Sequence, residues 1–187
     1  RNLYQDAAHY YKEASNHYRA LGVNKLQSKA LNHLGICQIM MNDPADALVN
    51  LEDALTLLEG SPDSTLQVAI QGNIGLAHSA LRDHVNAIKA HKIVLESAEE
   101  KGDDDLRLNA LINLGTVYED LGQYDKAAYC MRRGLNEYPN HPRAKMFILD
   151  IESSRDMFYD ENSERNRLKH DAILDTGLLI VAGAVFA

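Results

Sequence analysis

Three histidines fall close together in the middle of the chain: His78, His84 and His91. Three imidazoles can hold a zinc-type ion when helices bring them to one point. His84 and His91 share a helix face at a spacing of seven, and His78 precedes a turn. No His-x-x-x-His pair with an adjacent acid accompanies them. Asp103, Asp104 and Asp105 form a run of carboxylates. Such a run can bind a cation, or it can cap a helix start, where acids are favoured by the helix dipole; capping is the better reading. Cys37 and Cys130 lie in separate helical patterns and read as small apolar core residues of a reduced, cytoplasmic protein. No Gly-rich phosphate loop, nucleophile elbow or Cys–His pairing of defined spacing is present. The chemistry expected is therefore recognition, with no catalysis and no cofactor.

The elements that would carry these residues repeat every 40 positions. Gly35, Gly75 and Gly115 share one register, preceded by Leu34, Ile74 and Leu114. Ala47, Ala87 and Ala127 share another, followed at the next turn by Leu51, His91 and Met131. Small residues facing large ones across two helical patterns predict helical hairpins in which backbones approach closely. In that register His78, His84 and His91 align with Tyr118, Tyr124 and Met131. They thus occupy packing slots of the repeat, and packing is favoured over metal ligation.

The stretch Leu111–Leu135 carries Asn-Leu-Gly-x-x-Tyr, then a turn Gly-x-Tyr, with Pro139 closing the unit. It resembles a tetratricopeptide repeat. The resemblance implies an all-α solenoid of helical hairpins wound as a right-handed superhelix. The units here exceed the common length of about 34 residues, and the excess is expected at the end of the second helix and in the inter-repeat loop. The expected organisation is a lone second helix over 1–22, repeats over 23–60, 61–102 and 103–140, a capping helix over 141–158 and a polar extension over 159–176. Within it, Asp43 and Asp83 are expected to cap second helices, with Pro44 at a first helical position. The uncharged run 177–187 is too short to span a membrane, which takes about 20 residues. It reads as truncated or non-native. The chain begins without an initiator Met and in mid-repeat, so a fragment of a longer protein is expected. Its open first edge, with Tyr4, Tyr11 and Tyr18 on one face, is expected to favour weak self-association.

The family resemblance also implies a binding surface, since in such arrays the first helix of each pair lines a concave groove. By register this places Lys29, Asn32, Ile36 and Ile39 in the groove from the first full repeat. The second repeat adds Ala69, Gly72, Leu76 and Ser79, and the third adds Asn109, Ile112, Thr116 and Glu119. His33, Asn73 and Asn113 share an adjoining slot, where an Asn either bonds a peptide main chain or bridges two helices. Only Lys29 is basic, so a partner peptide with apolar anchors is expected rather than one held by its terminal carboxylate. With 27 Asp and Glu against 19 Lys and Arg, the net charge of −8 argues against nucleic-acid binding, which needs a basic face.

A second resemblance rests on Tyr138-Pro-Asn-His-Pro-Arg-Ala-Lys, Asp156-Met-Phe-Tyr-Asp-Glu and Arg165-Asn-Arg, with Ile173-Leu-Asp-Thr176 at its end. It is similar to bacterial repeat proteins that continue into a domain like the C-terminal domain of the RNA polymerase α subunit. That domain is expected to be missing from this chain, where the sequence turns into Gly177–Ala187. The resemblance implies an alternative role as the regulatory region of a transcription-associated protein.

Overall fold

The computed structural model describes residues 2–60 and 64–137, together with 145, 149, 152–153, 155–156 and 160–164. The run 177–187 and most of 138–176 lie outside the described residues, so the expected capping helix, polar extension and apolar tail are not described. The described residues include seven helices with defined bounds and no strand: α1 (Asn2–Ala20), α2 (Asn24–Met40), α3 (Pro44–Thr56), α4 (Ser64–Ala80), α5 (His84–Lys101), α6 (Asp104–Asp120) and α7 (Tyr124–Glu137). Each packs on the next in chain order. In addition α2 touches α4, and α4 touches α6. The first helices of successive hairpins therefore line one side of a solenoid, and α3, α5 and α7 back them.

Close approach inside each hairpin comes from the repeated glycine. A β-carbon on Gly35 would stand 2.7 Å from Leu51 Cγ, and one on Gly75 would stand 2.5 Å from His91 Cε1. Met131 occupies the same place over Gly115. Ala47, Ala87 and Ala127, fully buried, keep the partner helix equally near. Apolar burial around these contacts drives the packing. One cluster joins α1 to α5 through Leu31, Leu34, Leu51, Ile70, Ile74 and Ala90. Others join α6 to α7 through Leu108, Ile112 and Met131, and through Leu111 and Cys130. Burial pushes the Cys130 thiol up to about 11 and raises that of Cys37; both are buried free thiols.

The hairpin turns are punctuated at one position in three ways. Asn42, Arg82 and Gly122 all take left-handed backbone, at φ of 67°, 61° and 67°. Only the glycine does so without steric cost. The residue after each starts the cap of the second helix. Asp83 accepts a hydrogen bond from the Asn86 backbone N–H at 3.3 Å and from the Asn86 side chain at 2.7 Å. These bonds hold its carboxyl below the usual value. Asp43 stands at the corresponding position with Pro44 at the first helical residue, but its side chain makes no capping bond. Asp103 caps α6 through Leu106 N–H at 3.0 Å, and Asp104 and Asp105 follow in the first turn, Asp104 pairing with Arg107.

The first edge differs from expectation. Tyr4, Tyr11 and Tyr18 are half-buried rather than exposed. Tyr4 and Tyr11 pack on the apolar cluster, and Tyr11 stacks on His33 with ring centroids 5.0 Å apart. Their face is the one α1 turns toward α2. Leu3 and Tyr10 are the exposed large hydrophobic side chains of that helix among the described residues. No helix among the described residues is long and apolar enough to cross a membrane.

Candidate interaction groove

The groove face is set by helical phase. On α4, Ala69, Gly72, Asn73 and Leu76 recur at spacings of three and four and so share one side. On α6, Asn109 and Asn113 do the same. Where the two helices touch, these six residues meet around a cleft of about 380 Å³. Val68 and Leu106 complete its walls, with Ala110, Val94 and His91 at its base. No lining residue carries a full charge.

Gly72 lines the cleft with backbone alone. Its register partners in the other two repeats are Asn32 and Ile112. A β-carbon on Gly72 would meet only Val94 Cγ2, at 3.7 Å. At that point α4 faces α5 across the space of about one methyl group.

His91 forms part of the base. It is 1% exposed, and neither ring nitrogen has a hydrogen-bond partner among the described residues. Burial without a partner disfavours the imidazolium and lowers its pKa to about 4. The ring is therefore neutral at physiological pH, with one nitrogen a donor and the other an acceptor.

The other groove candidates are distributed unevenly. Lys29 and Leu76 are exposed, and Ile36 is half-buried; Lys29, Ile36 and Ile39 lie on α2, away from the cleft. Ile39 packs on the apolar cluster. The hydroxyls of Ser79 and Thr116 bond backward to the carbonyls of Gly75 and Ile112 in their own helices, at 2.9 and 3.0 Å. Glu119 is half-buried and lies outside the cleft.

Two candidates are corrected outright. Ile112 is 3% exposed and packs between α6 and α7 with Leu108, Ala127, Ala128 and Met131, so it belongs to the hairpin core. Asn32 is 6% exposed and accepts a hydrogen bond from Asn73 Nδ2 at 2.8 Å. Both sit where the adjoining helix covers the register position expected to face outward. The Asn32–Asn73 bond also decides between the two uses of Asn73: it bridges α2 and α4. Asn113, in the same slot of the next repeat, has no such bond.

The metal alternative is also corrected. His78, His84 and His91 do not converge, and no group of three metal-capable side chains occurs among the described residues. His91 lies over Gly75 inside the hairpin. His78 Nδ1 instead faces the turn, 3.2 Å from Asp83 Oδ2. His84 opens α5 and is half-buried.

Residues 66–139 match the family model described as Tetratricopeptide repeat, a fold that typically mediates protein–protein interaction. No curated protein matches the chain. Among solved structures, the apo form of RapI superposes with a TM-score of 0.64 at 12% identity, over 81% of this chain and 65% of that one. This chain thus spans less than two thirds of the RapI chain. A MamA structure, MSR-1 C2, superposes with a TM-score of 0.52 at 16% identity, over 88% of this chain and 98% of that one. At these identities the likeness is one of fold: a tetratricopeptide-type helical solenoid.

Proposed function

We propose that this repeat array is a non-catalytic interaction module that holds a partner peptide along the face formed by α2, α4 and α6. The observation that carries the reading is the inter-repeat cleft, where Ala69, Gly72, Asn73, Leu76, Asn109 and Asn113 meet. The exposed side of that face mixes aliphatic groups with amides and holds few charges. Such a surface suits an extended or helical segment with apolar anchors and main-chain hydrogen bonds. Each helix of the face is backed by a second helix, so the groove is preformed and binding loses little ordering entropy in the array. The two buried thiols fit a cytoplasmic setting.

Selection from a random peptide library against the chain tests this. Retained peptides should lose at least about tenfold in affinity for the double variant Leu76→Glu, Asn113→Ala. Peptides that bind both proteins equally would place recognition elsewhere. The transcription-associated reading rests on the resemblance over 138–176. Capture of purified RNA polymerase by the chain, sensitive to changes in that segment, is its separate test.

A further inference from the structure

On the side of the array away from the groove, α5 and α7 stand apart across α6, with no contact like that between α4 and α6. The recess between them measures about 310 Å³. Its floor is apolar: Leu111, Leu114 and Cys130 are buried there, with Leu95 and Tyr118 packed against them. Tyr129, 65% exposed, completes the apolar lining. The other lining side chains are Lys92, Lys126 and Arg133, and no carboxylate lines the recess among the described residues. Lys126 Nζ lies 5.5 Å from the centroid of the Tyr118 ring and donates to Gln123 Oε1 at 2.8 Å. Arg133 pairs with Glu99 of α5, a tie between the two walls that leaves the lysines to set the charge of the recess.

The same recess recurs two repeats earlier, between α1 and α3, at about 290 Å³. There Gln38 and Asn50 stand at the register positions of Tyr118 and Cys130, and they bond each other at 2.9 Å. Ser15 stands for Leu95, and Asp46 for Lys126. At the middle junction the positions of Lys92, Lys126 and Arg133 hold Glu52, Asn86 and Ile93. Three cations around an apolar floor are thus particular to the last junction. Like charges repel, and an open apolar floor is unfavourable in water. Neither feature is needed for the packing, since the first junction manages with amides and mixed charge.

We propose that this recess docks an acidic segment of a partner protein, which seats one large apolar side chain on the floor while its flanking carboxylates meet Lys92, Lys126 and Arg133. The site is separate from the groove formed by α2, α4 and α6, and neither depends on the other. Its volume lies at the bottom of the range for ligand pockets and suits a single side chain. Leu95, Tyr118 and Tyr129 offer apolar area to a ring or branched aliphatic group. The chain as a whole carries a net charge of −8, so an acidic segment is repelled elsewhere and attracted here. A basic segment would meet like charge in the recess. A wholly apolar one would partly desolvate the cations without an opposite charge in return.

The probe is the peptide Asp-Glu-Phe-Glu-Asp, blocked at both ends, titrated into the isotope-labelled full chain and followed by NMR. The expected result is saturable shifts at the Leu95, Tyr118 and Cys130 amides, with affinity falling as salt screens the charges. Replacing the Phe of the peptide by Ala should cost at least about tenfold, the worth of burying most of a ring. The double variant Lys92→Glu, Lys126→Glu alters exposed side chains only, should melt close to the parent, and should lose the binding. Lys92→Gln with Lys126→Gln removes the charge without adding repulsion and should bind more weakly than the parent. Shifts that never saturate, equal binding of the Ala peptide, or undiminished binding by either double variant would each overturn the proposal. So would equal shifts at Ser15, Gln38 and Asn50, the equivalent positions of the first recess. Octanoate matching the peptide in affinity would assign the recess to a small amphipathic acid and overturn the peptide reading. The same shifts on concentrating the free chain would seat a second copy there and overturn it as well.

Discussion

The imidazole of His91 lies across the backbone of Gly75, its Cε1 2.5 Å from the point where a β-carbon would stand. The two residues fix how closely α4 and α5 approach. Gly75→Ala must displace a ring clamped between helices and should destabilise the chain by about 1–3 kcal/mol. Gly115→Ala faces Met131, whose unbranched side chain can turn aside, and should cost less. Urea unfolding of the two variants gives the order.

Burial of His91 has a pH signature. Its pKa is lowered from 6.5 to about 4 in the folded chain, so the unfolded state binds the proton first. Stability is complete above about 6.5 and falls as pH drops toward about 4, losing about 3 kcal/mol from this group, then levels. His91→Leu should lack that loss. Unfolding free energies of both proteins at neutral pH and near pH 4 check it, the difference between them isolating His91 from the carboxylates.

The two hairpin caps should not be equivalent. Asp83 receives two hydrogen bonds from Asn86, whereas the Asp43 side chain makes no capping bond. Asp83→Ala should therefore lower the thermal midpoint by clearly more than Asp43→Ala. Equal losses would mean that the side-chain bonds are not what stabilises the start of α5.

Arg82 is an L-residue held at φ of 61°, where the third repeat has Gly122. Arg82→Gly should stabilise the chain by about 1 kcal/mol by removing the left-handed steric cost, less the greater freedom of glycine in the unfolded chain. Scanning calorimetry would detect the rise.

The repeat was legible because its signal is local. The glycine and the large residue that covers it recur at fixed spacing, so Gly35, Gly75 and Gly115 announce three hairpins before any contact is known. The groove was legible only in part. Which face of α6 turns outward depends on how far each hairpin rotates against the next, and a one-position difference in phase put Ile112 in the core. Asn32 was lost to the groove for a related reason, its partner Asn73 lying in another repeat. The tyrosines of α1 were expected to face an absent neighbour, yet the same stripe meets α2. His91 was readable as a packing residue from its alignment with Met131. That its nitrogens are unpartnered, and that the ring borders an inter-repeat cleft, follows from three helices meeting and has no trace in spacing alone.

The bond from Asn73 to Asn32 spans 2.8 Å between neighbouring hairpins. It works as a hinge pin: rotation of one hairpin against the next must stretch or break it. The junction between the second and third hairpins carries Asn113 without this tie. Bending of the solenoid should therefore be concentrated between α4 and α6, which is where the cleft lies. A guest seated there would brace the looser joint and stiffen the array along its length.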